Sequence, residues 1–325
     1  MVHAIRFHQP GGPEVLKWEE IEVGDPGPGQ VRLKHTAVGL NFIDTYHRSG
    51  LYPVAALPCI PGMEGAGVVQ EVGEGVTTFR PGDRVAYASP PIGAYAEARL
   101  MPADRLVPLP SWIDDSQAAA MMLQGMTAQF LIRSCYAVQP GDTILVHAAA
   151  GGVGLILCQW ARKLGATVIG TVGSDEKAEL ARENGCTHPI IYTREDFVER
   201  VKEITDGAGV PVVYDSVGKD TFSKSLDCLR PRGLMVLFGQ SSGPVPPVDL
   251  GILAAKGSLY VTRPTLFVYT AKRDDLVTSA ADLFDVVHSG DVKIEVRQSF
   301  PLKDAAEAHR ALEGRATKGS SVLLP

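Results

Sequence analysis

The residues best suited to chemistry in this 325-residue chain read His147-Ala-Ala-Ala-Gly-Gly-Val-Gly154. Gly151, Gly152 and Gly154 permit a tight turn and let the backbone approach a ligand closely. An apolar run, Thr143–Ala148, precedes the glycines. Val153, Ile156, Leu157, Trp160, Ala161 and Leu164 follow on one face of an expected helix that stops at Gly165. Strand, glycine turn and helix N-terminus in that order offer unpaired N–H groups and a favourable dipole to a pyrophosphate. The spacing is A-x-x-G-G-x-G, with Ala148 where a first glycine is usual. A purely structural turn is the competing reading; a second strand expected at Thr167–Val172 favours a dinucleotide.

The end of that second strand selects which dinucleotide. Units that bind a plain ribose usually carry Asp or Glu there. Here Gly170-Thr-Val-Gly-Ser-Asp-Glu-Lys177 puts Gly173 and Ser174 in that place, which leaves room for a 2′-phosphate. Lys177 lies one turn into the next helix and can pair with the phosphate, and Tyr192 can close the pocket. Ser174 or Asp175 caps that helix, which ends before Gly185. Asp175 is either this cap or, with a shift of one or two residues, a ribose ligand. The reading is NADPH. His147, ending a buried-looking strand, reads as a hydrogen-bonded core residue, and Cys59 and Cys158 as small core residues.

The elements that must hold these residues have two textures. Up to about Pro110, short runs such as Gln30–Val38, Gly67–Val72 and Asp83–Ala88 are separated by turn signals, which suggests a small barrel or sandwich. From about Asp142, strand and helix alternate. Helices are expected at Glu195–Thr205 and Asp220–Leu229, and strands at Val210–Tyr214, Leu234–Phe238 and Ser258–Val261. Such alternation predicts an α/β fold with a doubly wound parallel sheet covered on both faces. Beyond Pro264 come a long helix at Lys272–Ser289, a strand at Lys293–Phe300 and a helix at Asp304–Glu313. This tail is expected to return to the first domain.

Composition narrows the classes. A net charge of −6 argues against a nucleic-acid partner, which usually demands a basic surface. The five cysteines are scattered, without any C-x-x-C pair, so neither a disulfide framework nor a structural zinc site is expected. The N-terminus lacks an apolar signal-peptide core, and no run of eighteen or more uncharged apolar residues stands as a membrane span. A cytoplasmic protein is expected.

Taken together, Asn41-Phe-Ile-Asp-Thr-Tyr46, Arg48 to Pro53, Gly141 to Gly154, Val213-Tyr-Asp-Ser-Val-Gly218, Gly233-Leu-Met-Val and Arg315-Ala-Thr-Lys-Gly-Ser-Ser321 carry a resemblance. Over essentially its whole length, the chain resembles the zinc-independent, zeta-crystallin-type quinone oxidoreductases of the medium-chain dehydrogenase/reductase superfamily. The resemblance implies a GroES-like β-barrel catalytic domain (residues 1–124 and 265–325), a Rossmann domain (125–264) and a homodimer. It also implies the NADPH contacts. Asn41, Asp44 and Tyr46 would lie near the nicotinamide and ribose, with Thr127 and Phe130 in the same cleft. Gly151, Gly152 and Val153 would meet the pyrophosphate. Gly173, Ser174, Lys177 and Tyr192 would hold the adenosine phosphate end. Ser216, Phe238, Gly239, Gln240, Ser241 and Lys318 complete the set. Two positions depart from the pattern: Phe130 stands for a Tyr and Gln124 for a Lys.

Zinc alcohol dehydrogenases share the implied fold. Where they place a Cys ligand this chain has Asn41, and their Gly-His-Glu is matched by Gly62-Met63-Glu64. A thioether is a poor zinc ligand, so no metal is expected, and Gly62, Gly65 and Gly67 read as barrel-packing residues. Without a metal, a quinone or other conjugated carbonyl is the natural acceptor, because it delocalises charge as hydride arrives. Tyr46 and Tyr52 are candidate donors to the reduced oxygen. Asn41 is a candidate hydrogen-bond donor, and Arg263 a source of positive charge. The alternatives are an NADPH-dependent enone or alkenal C=C reductase, and an NADPH-binding sensor or RNA-binding protein with little turnover.

Overall fold

The computed structural model describes residues 1–325. The first stretch forms β1 (Val2–Arg6), β2 (Lys17–Ile21), β3 (Gln30–Leu40), α1 (Phe42–Ser49), β4 (Glu64–Val72), β5 (Arg84–Ala88), β6 (Ala98–Pro102), β7 (Val107–Pro108), α2 (Asp115–Ala119) and α3 (Met122–Phe130). Next come β8 (Thr143–Val146), α4 (Gly152–Lys163), β9 (Thr167–Val172), α5 (Asp175–Glu183), β10 (His188–Ile191), α6 (Phe197–Ile204), β11 (Val210–Asp215), α7 (Phe222–Ser225) and β12 (Leu229–Leu237). The chain ends with α8 (Gly251–Ala255), β13 (Tyr260–Thr262), α9 (Leu266–Tyr269), α10 (Arg273–His288), β14 (Val296–Pro301), α11 (Ala305–Glu313) and β15 (Ser320–Leu324). No helix is long and apolar enough to cross a membrane.

Two compact units emerge. One comprises Met1–Met126, Thr270–Ala281 and Ile294–Pro325; the other Thr127–Tyr269 and Asp282–Lys293. In the first, the sheet order is β14-β15-β3-β4-β5-β7. The eleven-residue β3 organises it: β4 lies along one edge, while β6 and β15 share the other at Gln30–Lys34 and Val38–Leu40. Alternation along β3 sends Val31 and Leu33 into a core with Phe7, Tyr87, Tyr95, Met101 and Leu106, joined by Leu302 and Leu323 from the C-terminal segment. The glycines of the Gly62–Gly67 run serve this packing. A Cβ on Gly67 would lie 2.0 Å from the Lys34 carbonyl oxygen, and one on Gly62 would lie 2.5 Å from the Tyr95 ring.

In the second unit, all six strands are parallel in the order β10-β9-β8-β11-β12-β13. Crossover helices follow the strands, as a buried parallel sheet requires. The apolar stripe read from Val153 to Leu164 becomes α4, whose residues from Gly154 to Ala161 are buried, and Gly165 adopts φ +85° just past its end. One expectation needs correcting, and one strand carried no expectation at all. The helix expected at Asp220–Leu229 is only the short α7 followed by a 3-10 turn at Leu226–Cys228. Strand β10 lacks a recognisable signal because Pro189 interrupts a four-residue run; its pairing with β9 creates it.

Candidate functional site

In the first unit, Asn41 begins α1 and its backbone N–H donates to Asp44 Oδ2 (2.9 Å), the reach-back half of a capping box. With its backbone so fixed, its side chain is available for other work. Asn41 Nδ2 donates to Glu64 Oε2 (2.7 Å), and Asn41 Oδ1 accepts from Gln124 Nε2 (3.1 Å). Ser320 donates to Gln124 Oε1 (2.7 Å), and the Leu123 N–H to Glu64 Oε1 (2.7 Å). Gln124 at this position is thus a neutral link between Asn41 and the C-terminal strand. Gly39 makes room for the carboxylate: a Cβ there would lie 2.2 Å from Glu64 Oε2.

A second chain of hydrogen bonds reaches Asp44. Arg48 Nη1 donates to His309 Nδ1 (2.9 Å), which assigns the His309 proton to Nε2 and toward the Tyr95 hydroxyl (3.0 Å). Tyr95 donates to Asp44 Oδ2 (3.0 Å), and Arg48 also grips Glu313 with both terminal nitrogens (2.7 and 3.0 Å). Asp44 Oδ1 is enclosed without a partner. Burial dominates the electrostatics here. It raises Asp44 to about 7 despite the hydrogen bonds from Asn41 and Tyr95, and raises Glu64 to about 8 with Asp44 adding to the rise. Burial also lowers His309 to about 3, with Arg48 adding to the fall.

On the same helix, Tyr46 packs edge-on against Tyr52, with ring centroids 5.2 Å apart, and the Tyr52 N–H bonds the Tyr46 carbonyl (3.0 Å). Tyr46 is 9% exposed and Tyr52 half-buried. Lys318 lies in the irregular segment just before β15.

In the second unit, the remaining candidates other than Thr127 and Phe130 sit just beyond the C-terminal ends of the parallel strands, where open α/β sheets bind ligands. After β8, Ala148 takes φ +53°, a conformation that favours glycine, and this explains the glycine usual at its place. Gly151 caps α4, and a Cβ on Gly154 would lie 2.3 Å from the Ala148 carbonyl oxygen. The loop therefore keeps backbone and helix N-terminus close, with the first N–H groups of α4 beyond reach of intrahelical acceptors.

After β9 and β10, the register Val172↔Ile191 carries on into the loops. A Cβ on Gly173 would lie 3.0 Å from the Tyr192 hydroxyl, and Thr193 Oγ1 donates to the Gly173 carbonyl (3.4 Å). Ser174 caps α5, accepting from the Lys177 N–H (3.3 Å). Asp175 is not the cap. It occupies the first helical position, and Arg194 holds both its oxygens (2.6 and 3.0 Å).

After β11, Asp215 is wholly buried; its Oδ1 accepts the N–H groups of Val217 (2.7 Å) and Gly218 (3.0 Å), and Thr221 donates to its Oδ2 (2.7 Å). That clamp shapes the turn bearing Ser216, whose carbonyl accepts from the Ser241 N–H (3.1 Å). Gly239 permits the approach, since a Cβ there would lie 2.7 Å from the Ser216 carbonyl oxygen. Phe238, Gly239, Gln240 and Ser241 follow β12, and Arg263 follows β13 while bonding the Leu237 carbonyl (3.1 Å). Thr127 and Phe130 lie on α3, where the Phe130 ring stacks on Tyr269 at 4.5 Å. His147 is the core residue its context suggests, bonded to Thr171 and Ser225 (2.8 Å each).

The Alcohol dehydrogenase GroES-like domain family matches residues 27–111, and the Zinc-binding dehydrogenase family residues 152–276. A quinone oxidoreductase of Pseudomonas aeruginosa is 55% identical over 325 residues, covering all of both chains. The chain belongs to the quinone oxidoreductase family of the medium-chain dehydrogenase/reductase superfamily. The crystal structure of the family's Escherichia coli member, complexed with NADPH, matches with a TM-score of 0.98 at 52% identity, covering 99% of this chain and 100% of that one. A 2-haloacrylate reductase of a Burkholderia species is 52% identical, covering 100% of this chain and 99% of its own. The two units are thus the family's GroES-like and Rossmann-type domains.

A zinc ion, which the second family description implies, does not fit the donors present. Asn41 spends its amide on Glu64 and Gln124, Met63 is a buried thioether, and no group of three His, Cys, Asp or Glu side chains converges. The sequence reading missed Glu64, Tyr95, His309, Arg48, Asp215 and Arg194. For Glu64 a signal exists in Gly62-Met63-Glu64, where the missing His draws attention away from the acid beside it. The others lie in ordinary helix, loop or strand-end contexts.

Proposed function

We propose that this chain is an NADPH-dependent, metal-free reductase of quinones. The observation that carries the reading is the adenosine end of the second unit. Gly173 and Ser174 stand where a ribose-binding acid would be, and the nearest carboxylate, Asp175, is committed to Arg194. The glycine turn and the α4 N-terminus fit a pyrophosphate, with Gly151, Gly152 and Val153 as its contacts. Gly173, Ser174, Lys177 and Tyr192 would receive the 2′-phosphate, and Ser216, Phe238, Gly239, Gln240, Ser241 and Lys318 the rest of the molecule. Asn41, Asp44, Tyr46, Thr127 and Phe130 are assigned to the nicotinamide end.

When bound, NADPH supplies the hydride. The chain's own part is to orient the acceptor and handle a proton. Tyr46 and Tyr52, packed edge-on, are assigned to the acceptor oxygen as hydrogen-bond or proton donors. Asn41 is held by its backbone and both ends of its amide, which makes it a rigid positioning group. Arg263 adds positive charge beside β12.

The fully free cysteines accord with a cytoplasmic enzyme. A homodimer is supported by β13, an edge strand that pairs with β12 alone and exposes Tyr260 and Val261. The 2-haloacrylate reductase among the relatives favours a second reading, reduction of a C=C bond activated by a neighbouring carbonyl group.

The test follows absorbance of NADPH, and separately NADH, with a simple quinone and with an unsaturated aldehyde, each in the presence of a chelator. Chelator-insensitive oxidation of NADPH by the quinone is expected. Faster turnover of the aldehyde would move the reading to C=C reduction, and wild-type turnover in both Tyr46→Phe and Tyr52→Phe would end their role as donors.

A further inference from the structure

The pair Arg194–Asp175 has a consequence beyond packing. Strands β9 and β10 finish in register, so the residues beyond them run side by side: Gly173 faces Tyr192, and Asp175 faces Arg194. Asp175 is the first acid after β9, at the mouth where a dinucleotide fold otherwise offers a carboxylate to the ribose hydroxyls. Both of its oxygens are held by the Arg194 guanidinium, in the two-point geometry that a lysine cannot reproduce. The neighbouring acid Glu195 is occupied elsewhere, accepting the Ile191 N–H (2.9 Å) and pairing with Arg200 (3.2 Å).

We propose that Arg194 is a cofactor-selecting positioning residue: by clamping Asp175 it withdraws the acceptor a plain ribose would use and cancels the charge that would repel a 2′-phosphate. This rests on the reading of the site as an NADPH site. Arg194 acts through Asp175, and the selection is a difference of two affinities, one weakened and one left intact.

The consequence is measurable as binding without turnover. The probes are NADPH, NADH and adenosine 2′,5′-bisphosphate, with affinities read by fluorescence or calorimetry. In Arg194→Gln the freed carboxylate would oppose a doubly charged 2′-phosphate at the same mouth, so affinity for NADPH and for the bisphosphate falls about tenfold. NADH affinity rises several-fold. The loss shrinks between low and high salt, because both charges are exposed, whereas a structural defect would not respond in that way. Adding Asp175→Asn to Arg194→Gln restores NADPH affinity to within about threefold of the wild type.

An unchanged NADPH-to-NADH ratio in Arg194→Gln overturns the proposal. A double variant as weak as the single one also overturns it, because Arg194 would then act on the phosphate and not through Asp175. A wild-type chain that binds NADH as tightly as NADPH fails differently: it removes the NADPH reading itself, and the proposal with it.

Discussion

Glu64→Gln separates burial from charge in the first unit. Burial moves the Glu64 carboxyl from its ordinary 4.5 to about 8, outweighing the hydrogen bonds from Asn41 and Leu123. Because the folded value lies above the unfolded one, the folded state binds the extra proton between these limits. Stability from this group is therefore complete below pH 4.5 and is lost as pH rises through 8. At 1.36 kcal/mol per unit the loss is on the order of 5 kcal/mol, and Asp44, raised from 3.8 to about 7, loses a similar amount over a slightly lower window.

The amide variant can be accommodated by reversing the direction of the hydrogen-bond chain from Ser320 to Glu64. The nitrogen of the introduced amide would face Asn41, whose own amide turns over; Gln124 turns in response, and the Ser320 hydroxyl accepts where it formerly donated. At about pH 5.5 the variant is therefore expected within about 1 kcal/mol of the wild type. At about pH 9 it should be more stable by roughly 2–4 kcal/mol. Urea unfolding measures this in a Trp160→Phe background, which leaves Trp18 and Trp112, both in the first unit, as fluorescent reporters. Parallel pH dependence in variant and parent would show that Glu64 is already ionised in the fold and refute the argument. A large loss at the lower pH would refute the reversible hydrogen-bond chain.

Two further outcomes are expected. Gly154→Ala places a Cβ 2.3 Å from the Ala148 carbonyl oxygen and forces the loop away from α4; NADPH binding measured by fluorescence should weaken more than tenfold, while unfolding of the first unit is unchanged. Tyr260→Lys on the β13 edge should convert a dimer to a monomer in analytical ultracentrifugation without changing secondary structure, and a parent already monomeric would end the dimer reading.

Much of the second unit was legible because its signals are local and periodic. The glycine turn, the α4 stripe and the bounds of β9 follow from spacing that an α/β unit imposes residue by residue. Even the departure at Ala148 was visible as a residue in a glycine's place, although only the structure shows its positive φ. The helix expected after β11 came out short because the Asp215 clamp on Val217, Gly218 and Thr221 fixes a turn that propensity does not encode.

The α/β class, the alternation of strand and helix and the place of the glycine loop are written in the chain, because hydrophobic period and glycine position act over a few neighbours. The polar machinery exists only once the chain has packed. Arg48 and His309 are 261 residues apart, Ser320 and Gln124 196, and Asn41 and Glu64 23. Buried polar side chains repeat with no period; each is fixed by the one donor or acceptor that the packed chain brings within about 3 Å. The same holds at the second unit's mouth, where the unrecognised strand β10 sets Arg194 against Asp175.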